Sequence, residues 1–316
     1  MTFSQNVKSE ILKSVRNLQG GNATSFLTAV LKSAGSLTLT SGGFAFSLES
    51  DNLDLLTSCK NFAYEQLNAE VSIDTRELQL KGQSSYTCTF EAMVGEKLGL
   101  TVRDGEGTLT LPDDVTTLIP DEPNAKRSFM QGLFVAGGSV VIPMLNEDEQ
   151  WSNTLNTKYH LELRFTDDAF AKAVAASYSE FNFHFLSRKS HYVLYLKDSE
   201  KIADFLVYVN ATSAAFTLNN VIISRSMRNQ FNRANNCDIA NIGKTVNAAG
   251  KQLNAISTLR EMGAFDGLPD QLKDVAILRE KYPEATLDEI ADMLSISKSG
   301  ANHRFTKLIE LSQRKS

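Results

Sequence analysis

The stretch that decides the fold occurs twice in the chain. It reads FLTAVLKSAGSLTL over Phe26–Leu39 and FMQGLFVAGGSVVI over Phe129–Ile142. Aligned without a gap, the two copies agree in residue type at nearly every position. The first half of each copy has the apolar spacing of a helix, and at the Gly-Ser pair the period changes to that of a strand. The chain therefore contains a duplicated structural unit.

Small residues four positions apart occur in both copies, as Ala29/Ser33 in the first and Gly132/Ala136 in the second. Positions i and i+4 lie on the same face of a helix, and small side chains allow a second backbone to approach that face closely. We therefore expect the two copies to form helices that pack against each other at a pseudo-twofold axis.

Each copy begins a predicted pattern of helix–strand–strand–helix–strand–strand. The two patterns cover about 20–100 and 123–210. Only two long repeats occur, which excludes a solenoid. The clearest strand is 159–165, where apolar and polar residues alternate. Four side chains are expected to face the core and three the solvent: Tyr159, Leu161, Leu163 and Phe165 inside, and His160, Glu162 and Arg164 outside.

From about residue 226 onward every segment has helical periodicity. The predicted fold class is α+β: a duplicated αββαββ N-terminal domain at 1–215, a linker at 216–225, and an all-α C-terminal domain at 226–316. No run approaches the roughly 20 apolar residues of a membrane span. Three widely spaced cysteines argue against a disulfide framework or zinc site and for a cytoplasmic protein.

Charge is distributed unevenly between the two domains. Residues 1–219 carry 18 Lys and Arg against 26 Asp and Glu, a net charge of −8, whereas residues 220–316 carry 14 against 11, a net charge of +3. Phosphate neutralisation by Lys and Arg dominates nucleic-acid affinity. Any nucleic-acid contact is therefore expected in the C-terminal domain.

A helix-turn-helix motif is predicted at about 275–309. In TLDEIADMLSISKSGANHRFTKLIELSQ, Thr286 is a good N-cap and Glu289 completes a capping box. A break at Ser295–Ser297 precedes a second helix, which has the spacing of a recognition helix. This interpretation predicts that the second helix enters the major groove of double-stranded DNA.

On a helical wheel, the polar face of that second helix supplies the candidate DNA contacts. Asn302 has the groups to read adenine, and Ser299 and His303 could reach base edges or phosphate. Thr306 and Lys307 also lie on that face, whereas Lys298 and Arg304 flank the core face. The three cations, Lys298, Arg304 and Lys307, suit the DNA backbone. A solvated polar face in an all-α interaction domain is the alternative reading.

The duplicated segment resembles the LAGLIDADG element of homing endonucleases. In that family two crossing helices each deliver one catalytic carboxylate to metal ions. Here the catalytic aspartate of the pattern aligns with Ala34 and Gly137, and the earlier aspartate aligns with Lys32 and Val135. The resemblance therefore implies a LAGLIDADG-like domain with no catalytic residue, no metal and no cofactor. Acids in the loop at 147–149 could substitute, but we interpret them as a solvated loop.

Several runs in the C-terminal half resemble sequences of the WhiA family. They are NRANN at 232–236, KTVNAAGKQL from Lys244, LREKYPEATLDEI and SKSGANHR at 297–304. The resemblance to that family covers essentially the whole chain. The resemblance implies a DNA-binding transcriptional regulator linked to cell division and chromosome segregation, and to sporulation in related bacteria. The family's helix-turn-helix is similar to the promoter-reading region of sigma factors. A nucleoid location, and RNA polymerase, a sigma factor or another protein as partner of the N-terminal domain, are further expectations.

Arg225, Arg228 and Arg233 form a basic, amide-rich approach to the helical domain. They are interpreted either as DNA backbone contacts or as ties within the C-terminal domain. Two wider alternatives are also open. One is a surviving metal-dependent nuclease, which the residues at Ala34 and Gly137 disfavour. The other is a protein-interaction module whose C-terminal helices bind a protein and bind DNA only weakly.

Overall fold

The chain divides into two compact units, Met1–Ser224 and Arg225–Ser316. The computed structural model describes residues 1–40, 43–78, 83–143 and 158–313, so the acidic run at 147–149 lies outside the described residues. Within the described ranges, no helix combines the length and apolar character needed to cross a membrane.

The first unit opens with α1 (Phe3–Val15) and contains two repeats of the same order. The elements of the first repeat are α2 (Gly20–Ala34), β1 (Ser36–Thr40), β2 (Gly43–Ser50), α3 (Leu53–Leu67), β3 (Ile73–Leu78) and β4 (Gln83–Phe90). A connection follows with α4 (Ala92–Lys97), β5 (Val102–Arg103) and β6 (Leu109–Thr110). The elements of the second repeat are α5 (Pro123–Gly137), β7 (Gly138–Val141), β8 (His160–Phe165), α6 (Asp168–Ser177), β9 (His184–Ser187) and β10 (Tyr192–Leu196), before α7 (Ser199–Tyr208).

The two four-stranded sheets have the same topology. Their strand orders are β1-β2-β4-β3 and β7-β8-β10-β9, and neighbouring strands are antiparallel. The second helix of each repeat also begins in the same way: Asn52 and Asp167 cap α3 and α6 by accepting a hydrogen bond from the backbone N–H three residues on. The predicted duplicated αββαββ unit is confirmed.

The helices α2 and α5 cross at the centre of the first unit, as the small residues predict. A methyl group on Gly132 would lie 2.5 Å from the carbonyl oxygen of Phe26 and 2.9 Å from Cβ of Ala29, so only glycine permits this approach. Phe26 packs edge-on against Phe62 of its own repeat, with ring centroids 5.7 Å apart. The equivalent Phe129 packs against its own repeat in the same manner.

Glu162 of β8 was expected to be exposed to solvent, and this expectation is wrong. It lies on the outward face but is only 8% exposed. Its Oε1 accepts hydrogen bonds from Nε and Nη2 of Arg164 at 2.9 and 2.6 Å, and its Oε2 lies 3.2 Å from Nε2 of His160. Burial alone would raise the pKa of Glu162, but these two partners outweigh it and hold the pKa below its usual value.

Within the described residues, every secondary-structure element of the second unit is a helix. Its elements are the later part of α8 (Thr212–Glu261), α9 (Asp270–Lys281), α10 (Leu287–Met293) and α11 (Lys298–Ser312). Its core consists of apolar residues from these helices and the turn after α8: Ile256, Leu259, Phe265, Leu268, Leu272, Val275, Ala276, Ile290, Phe305 and Leu308. The segment 216–225, predicted as a linker, is helical because no proline interrupts α8.

Candidate nucleic-acid interface

The turn between α10 and α11 is built from local hydrogen bonds. At the start of α10 the backbone N–H of Glu289 donates to Oγ1 of Thr286 at 3.2 Å, and the carboxylate of Glu289 accepts from the N–H of Thr286 at 2.7 Å. The predicted capping box is therefore confirmed. Ser295 has a φ of 54°, which reverses the chain, and Ser297 caps α11 by accepting from the N–H of Gly300 at 3.1 Å.

The two faces of α11 separate as the helical wheel predicts. Ala301, Phe305 and Leu308 are buried in the core of the second unit. The opposite face exposes Ser299, Asn302, His303 and Thr306 to solvent. The helix therefore presents a row of hydrogen-bonding side chains of the kind that reads base edges, on a backbone held from behind by apolar packing.

The three cations of α11 all have partners within the second unit. Lys298 Nζ lies 2.6 Å from Oδ2 of Asp288, and Lys307 Nζ lies 3.3 Å from Oε2 of Glu310. Arg304 is half-buried, and its Nη1 donates to the carbonyl oxygen of Gln271 at 3.5 Å. The two exposed ion pairs are each worth less than about 1 kcal/mol, so a phosphate could displace either carboxylate.

The three candidate arginines in the first half of α8 differ in exposure. Arg225 and Arg228 are half-buried, whereas Arg233 is exposed. Burial and the neighbouring guanidinium of Arg225 together lower the pKa of Arg228. The assignment of all three as DNA backbone contacts stays a prediction.

Arg279 of α9 is a functional candidate that the sequence pattern did not single out. Its side chain is only 2% exposed. Nε donates to Oε1 of Gln252 at 2.8 Å, and Nη1 donates to the carbonyl oxygens of Pro283 at 3.3 Å and Ala285 at 2.5 Å. Its guanidinium also lies 5.3 Å from the ring centroid of Phe305. Arg279 thus joins α8, the turn before α10, and α11.

The ends of α2 and α5 lack the paired carboxylates that metal-dependent cleavage needs. Ala34 is the last residue of α2 and Gly137 the last residue of α5. At the earlier aspartate position, Lys32 Nζ forms an ion pair with Oδ2 of Asp167 at 2.9 Å, which ties the first repeat to the second. In the described part of the chain, no three or more His, Cys, Asp or Glu side chains form a group that could hold a metal ion.

Comparison with known proteins places this geometry in a family. A model described as the WhiA LAGLIDADG-like domain matches residues 126–228, and a model described as the WhiA C-terminal HTH domain matches residues 231–312. The chain is 33% identical over 320 residues to the probable cell division protein WhiA of Staphylococcus epidermidis, covering 99% of this chain and 97% of that protein. This chain belongs to the WhiA family. The resemblance inferred from the sequence is confirmed.

Two further WhiA proteins agree with this assignment. The probable cell division protein WhiA of Lacticaseibacillus casei is 32% identical over 99% of this chain and 97% of its own length. The crystal structure of full-length DUF199/WhiA from Thermotoga maritima matches with a TM-score of 0.57 and 20% identity, over 100% of this chain and 99% of that one. The predicted fold class, a LAGLIDADG-like domain followed by a helix-turn-helix domain, is confirmed.

The WhiA family models divide the candidate contacts. The match to the WhiA C-terminal HTH domain contains Arg233, Arg279 and every candidate on α11. Arg225 and Arg228 fall within the match to the LAGLIDADG-like domain. Arg225, Arg228 and Arg233 therefore lie near the junction between the two matched regions.

Introducing the two catalytic aspartates of the LAGLIDADG pattern into this chain is expected to leave DNA uncleaved. A side chain at Gly137 would place Cβ 2.9 Å from Oγ of Ser33 and 3.0 Å from the carbonyl oxygen of Arg164. The double substitution Ala34→Asp/Gly137→Asp therefore shifts the end of α5 and misplaces the second carboxylate. Supercoiled plasmid incubated with Mg²⁺ or Mn²⁺ measures this, with Ala34→Asn/Gly137→Asn as the matched control. Nicking by the aspartate variant alone would contradict the expectation.

Proposed function

We propose that this chain is a non-enzymatic DNA-binding protein that regulates transcription in connection with cell division and chromosome segregation, within the cytoplasm at the nucleoid. Its proposed DNA-reading element is α11, through Ser299, Asn302 and His303. The observation that carries the proposal is a capped two-helix motif whose second helix buries one face and exposes a continuous polar face. The name of the S. epidermidis relative, probable cell division protein WhiA, supports the cellular role.

The distribution of charge supports DNA binding by the second unit and not by the first. The N-terminal 219 residues have a net charge of −8, which opposes wrapping of DNA, and residues 220–316 have a net charge of +3. The acidic first unit is proposed as a surface for a protein partner such as RNA polymerase or a sigma factor.

A protein-interaction role for the second unit is the alternative candidate. Five apolar side chains of α8 are each between 62% and 68% exposed: Met227, Phe231, Ile239, Ile242 and Val246. Exposed apolar surface on this scale favours a protein partner over a polyanion. Under this alternative, DNA binding is weak and independent of sequence.

Replacing Asn302 by alanine is expected to weaken binding to selected genomic sites by about tenfold or more, because one bidentate base contact contributes about 1–3 kcal/mol. Fluorescence anisotropy of the full-length protein with fragmented genomic DNA measures this across a salt series. Affinity should fall steeply as salt rises, since phosphate contacts release counterions.

The matched control is Asn254→Ala. Asn254 is also an exposed asparagine within a helix of the second unit, but it lies on α8 and not on α11. It should bind DNA like the wild type. If Asn302→Ala and Asn254→Ala bind equally well, α11 is not the reading element and the protein-interaction candidate takes its place.

A further inference from the structure

A cavity of about 510 Å³ lies at the end of α5 in the first unit. It is lined by residues from five parts of the fold, namely Lys8 of α1, Ser33 of α2, Gly137 of α5, Arg164 of β8, and His191 before β10. The LAGLIDADG pattern would place one catalytic carboxylate at this position. The residues that replace it give the cavity different chemistry.

The ionisable side chains that line this cavity are all basic residues. They are Lys8, Arg164 and His191, and no Asp or Glu is among the described lining residues. Arg164 is held in place by Glu162 through Nε and Nη2, which leaves the N–H groups of Nη1 without a described partner. A guanidinium oriented by a carboxylate on one side presents its remaining donors to an anion on the other.

Lys8 is the least compensated of these charges. It forms no hydrogen bond or ion pair with any described residue, although Asp51 is close enough to act on it through space. Burial lowers the pKa of Lys8, and the attraction of Asp51 does not restore it. An ammonium group withdrawn from water without a direct partner favours binding of an anion, which would supply the missing counter-charge.

Hydroxyl groups complete the lining. Oγ of Ser33 is buried and has no hydrogen-bond partner among the described residues, which is uncommon for a buried polar atom. A Cβ on Gly137 would lie 2.9 Å from this oxygen, so glycine keeps the space beside Ser33 open. Thr166 also lines the cavity. These hydroxyl groups lie beside the space that one catalytic carboxylate would occupy in an endonuclease.

We propose that this cavity binds the phosphoryl group of a small phosphorylated molecule. Lys8 and Arg164 neutralise its charge, and the hydroxyl of Ser33 donates a hydrogen bond to one of its oxygens. A neighbouring cavity of about 590 Å³ shares Lys8 and Ser139 with the first. Asp51 and Asp54 also line it, so it provides room for an uncharged part of such a molecule and not for a second anionic group. A small ligand is favoured over a nucleic-acid backbone because the N-terminal 219 residues have a net charge of −8.

Isothermal titration calorimetry of the full-length protein with pyrophosphate and with ATP tests the proposal, against sodium chloride of equal ionic strength. Wild type should bind at least one of the two probes. Lys8→Met should weaken that binding by at least about tenfold, the loss expected for one charge-assisted hydrogen bond. Lys13→Met is the matched control, because Lys13 is an exposed lysine of the same helix that does not line the cavity. It should bind like wild type.

Hydrogen exchange of the wild type keeps the test independent of how the variants fold. Saturating pyrophosphate should slow exchange at the backbone amides of residues 136–139 and 187–192. Three results would overturn the proposal: absence of binding up to millimolar concentrations, equal weakening by Lys8→Met and Lys13→Met, or protection only elsewhere in the chain. A short DNA duplex is the remaining arm. If the duplex binds with dependence on Lys8 and neither small probe does, the site serves a nucleic-acid backbone and the proposal fails.

Discussion

Replacing Arg279 by alanine is expected to destabilise the second unit by about 3–5 kcal/mol. The substitution removes the donors that satisfy Gln252 and the carbonyl oxygens of Pro283 and Ala285, and it leaves a cavity beside Phe305. A buried acceptor that loses its donor costs about 1–3 kcal/mol, and several are lost together. The turn that precedes α10 should therefore lose its fixed conformation, and α11 should lose its support.

Hydrogen exchange of the full-length protein measures this effect at the amides of α11. Exchange should accelerate by about 10²- to 10⁴-fold if it reports the opening of this unit. The matched control is Arg260→Ala. Arg260 forms a bidentate pair with Glu280 at 2.8 and 2.7 Å, and its guanidinium lies 3.8 Å from the ring centroid of Phe265. Because Arg260 is exposed, its loss leaves no buried acceptor unsatisfied and should cost less than the loss of Arg279. Equal exchange in the two variants would show that buried Arg279 stabilises the second unit no more than exposed Arg260 does.

DNA affinity should also fall more in Arg279→Ala than in Arg260→Ala. Arg279 touches no candidate base-reading side chain, so Arg279→Ala should weaken DNA binding only by making α11 less ordered. Arg279→Lys keeps the charge but loses the planar fork that serves several acceptors at once, and should lie between wild type and the alanine variant.

The second large effect is expected at the helix crossing of the first unit. Gly132→Ala should destabilise this unit by about 2–3 kcal/mol, because overpacking of a close contact exceeds the helix propensity gained by alanine. The added methyl group would lie 2.5 Å from the carbonyl oxygen of Phe26, a backbone atom that moves only if α2 moves. Separation of α2 from α5 would open the centre of the duplicated fold.

Urea unfolding followed by far-ultraviolet circular dichroism measures this change. Gly21→Ala is the control within the same unit, since a methyl group on Gly21 would meet no atom within 4 Å. That variant should be neutral or more stable by up to about 1 kcal/mol. An unchanged midpoint for Gly132→Ala would contradict the close crossing of the two helices.

The sequence alone was sufficient for the duplicated unit and for the helix-turn-helix. Both depend on local signals: the 3.6-residue apolar period, the change of period at Gly35 and Gly138, and the caps at Thr286 and Ser297. Each signal lies within a few residues of the structure that it specifies, so that structure can be predicted without the rest of the chain. The core face of α11 was predictable for the same reason.

Tertiary structure decided which polar residues became buried and with what partner. Lys32 pairs with Asp167, 135 residues away, and the side chain of Arg279 spans from Gln252 to Ala285. In the sequence these residues look like ordinary solvated charges, because no periodicity marks a contact between distant segments. Burial of Glu162, and the cavity that unites Lys8 with Arg164, exist only once α1, α5 and the second sheet are packed together.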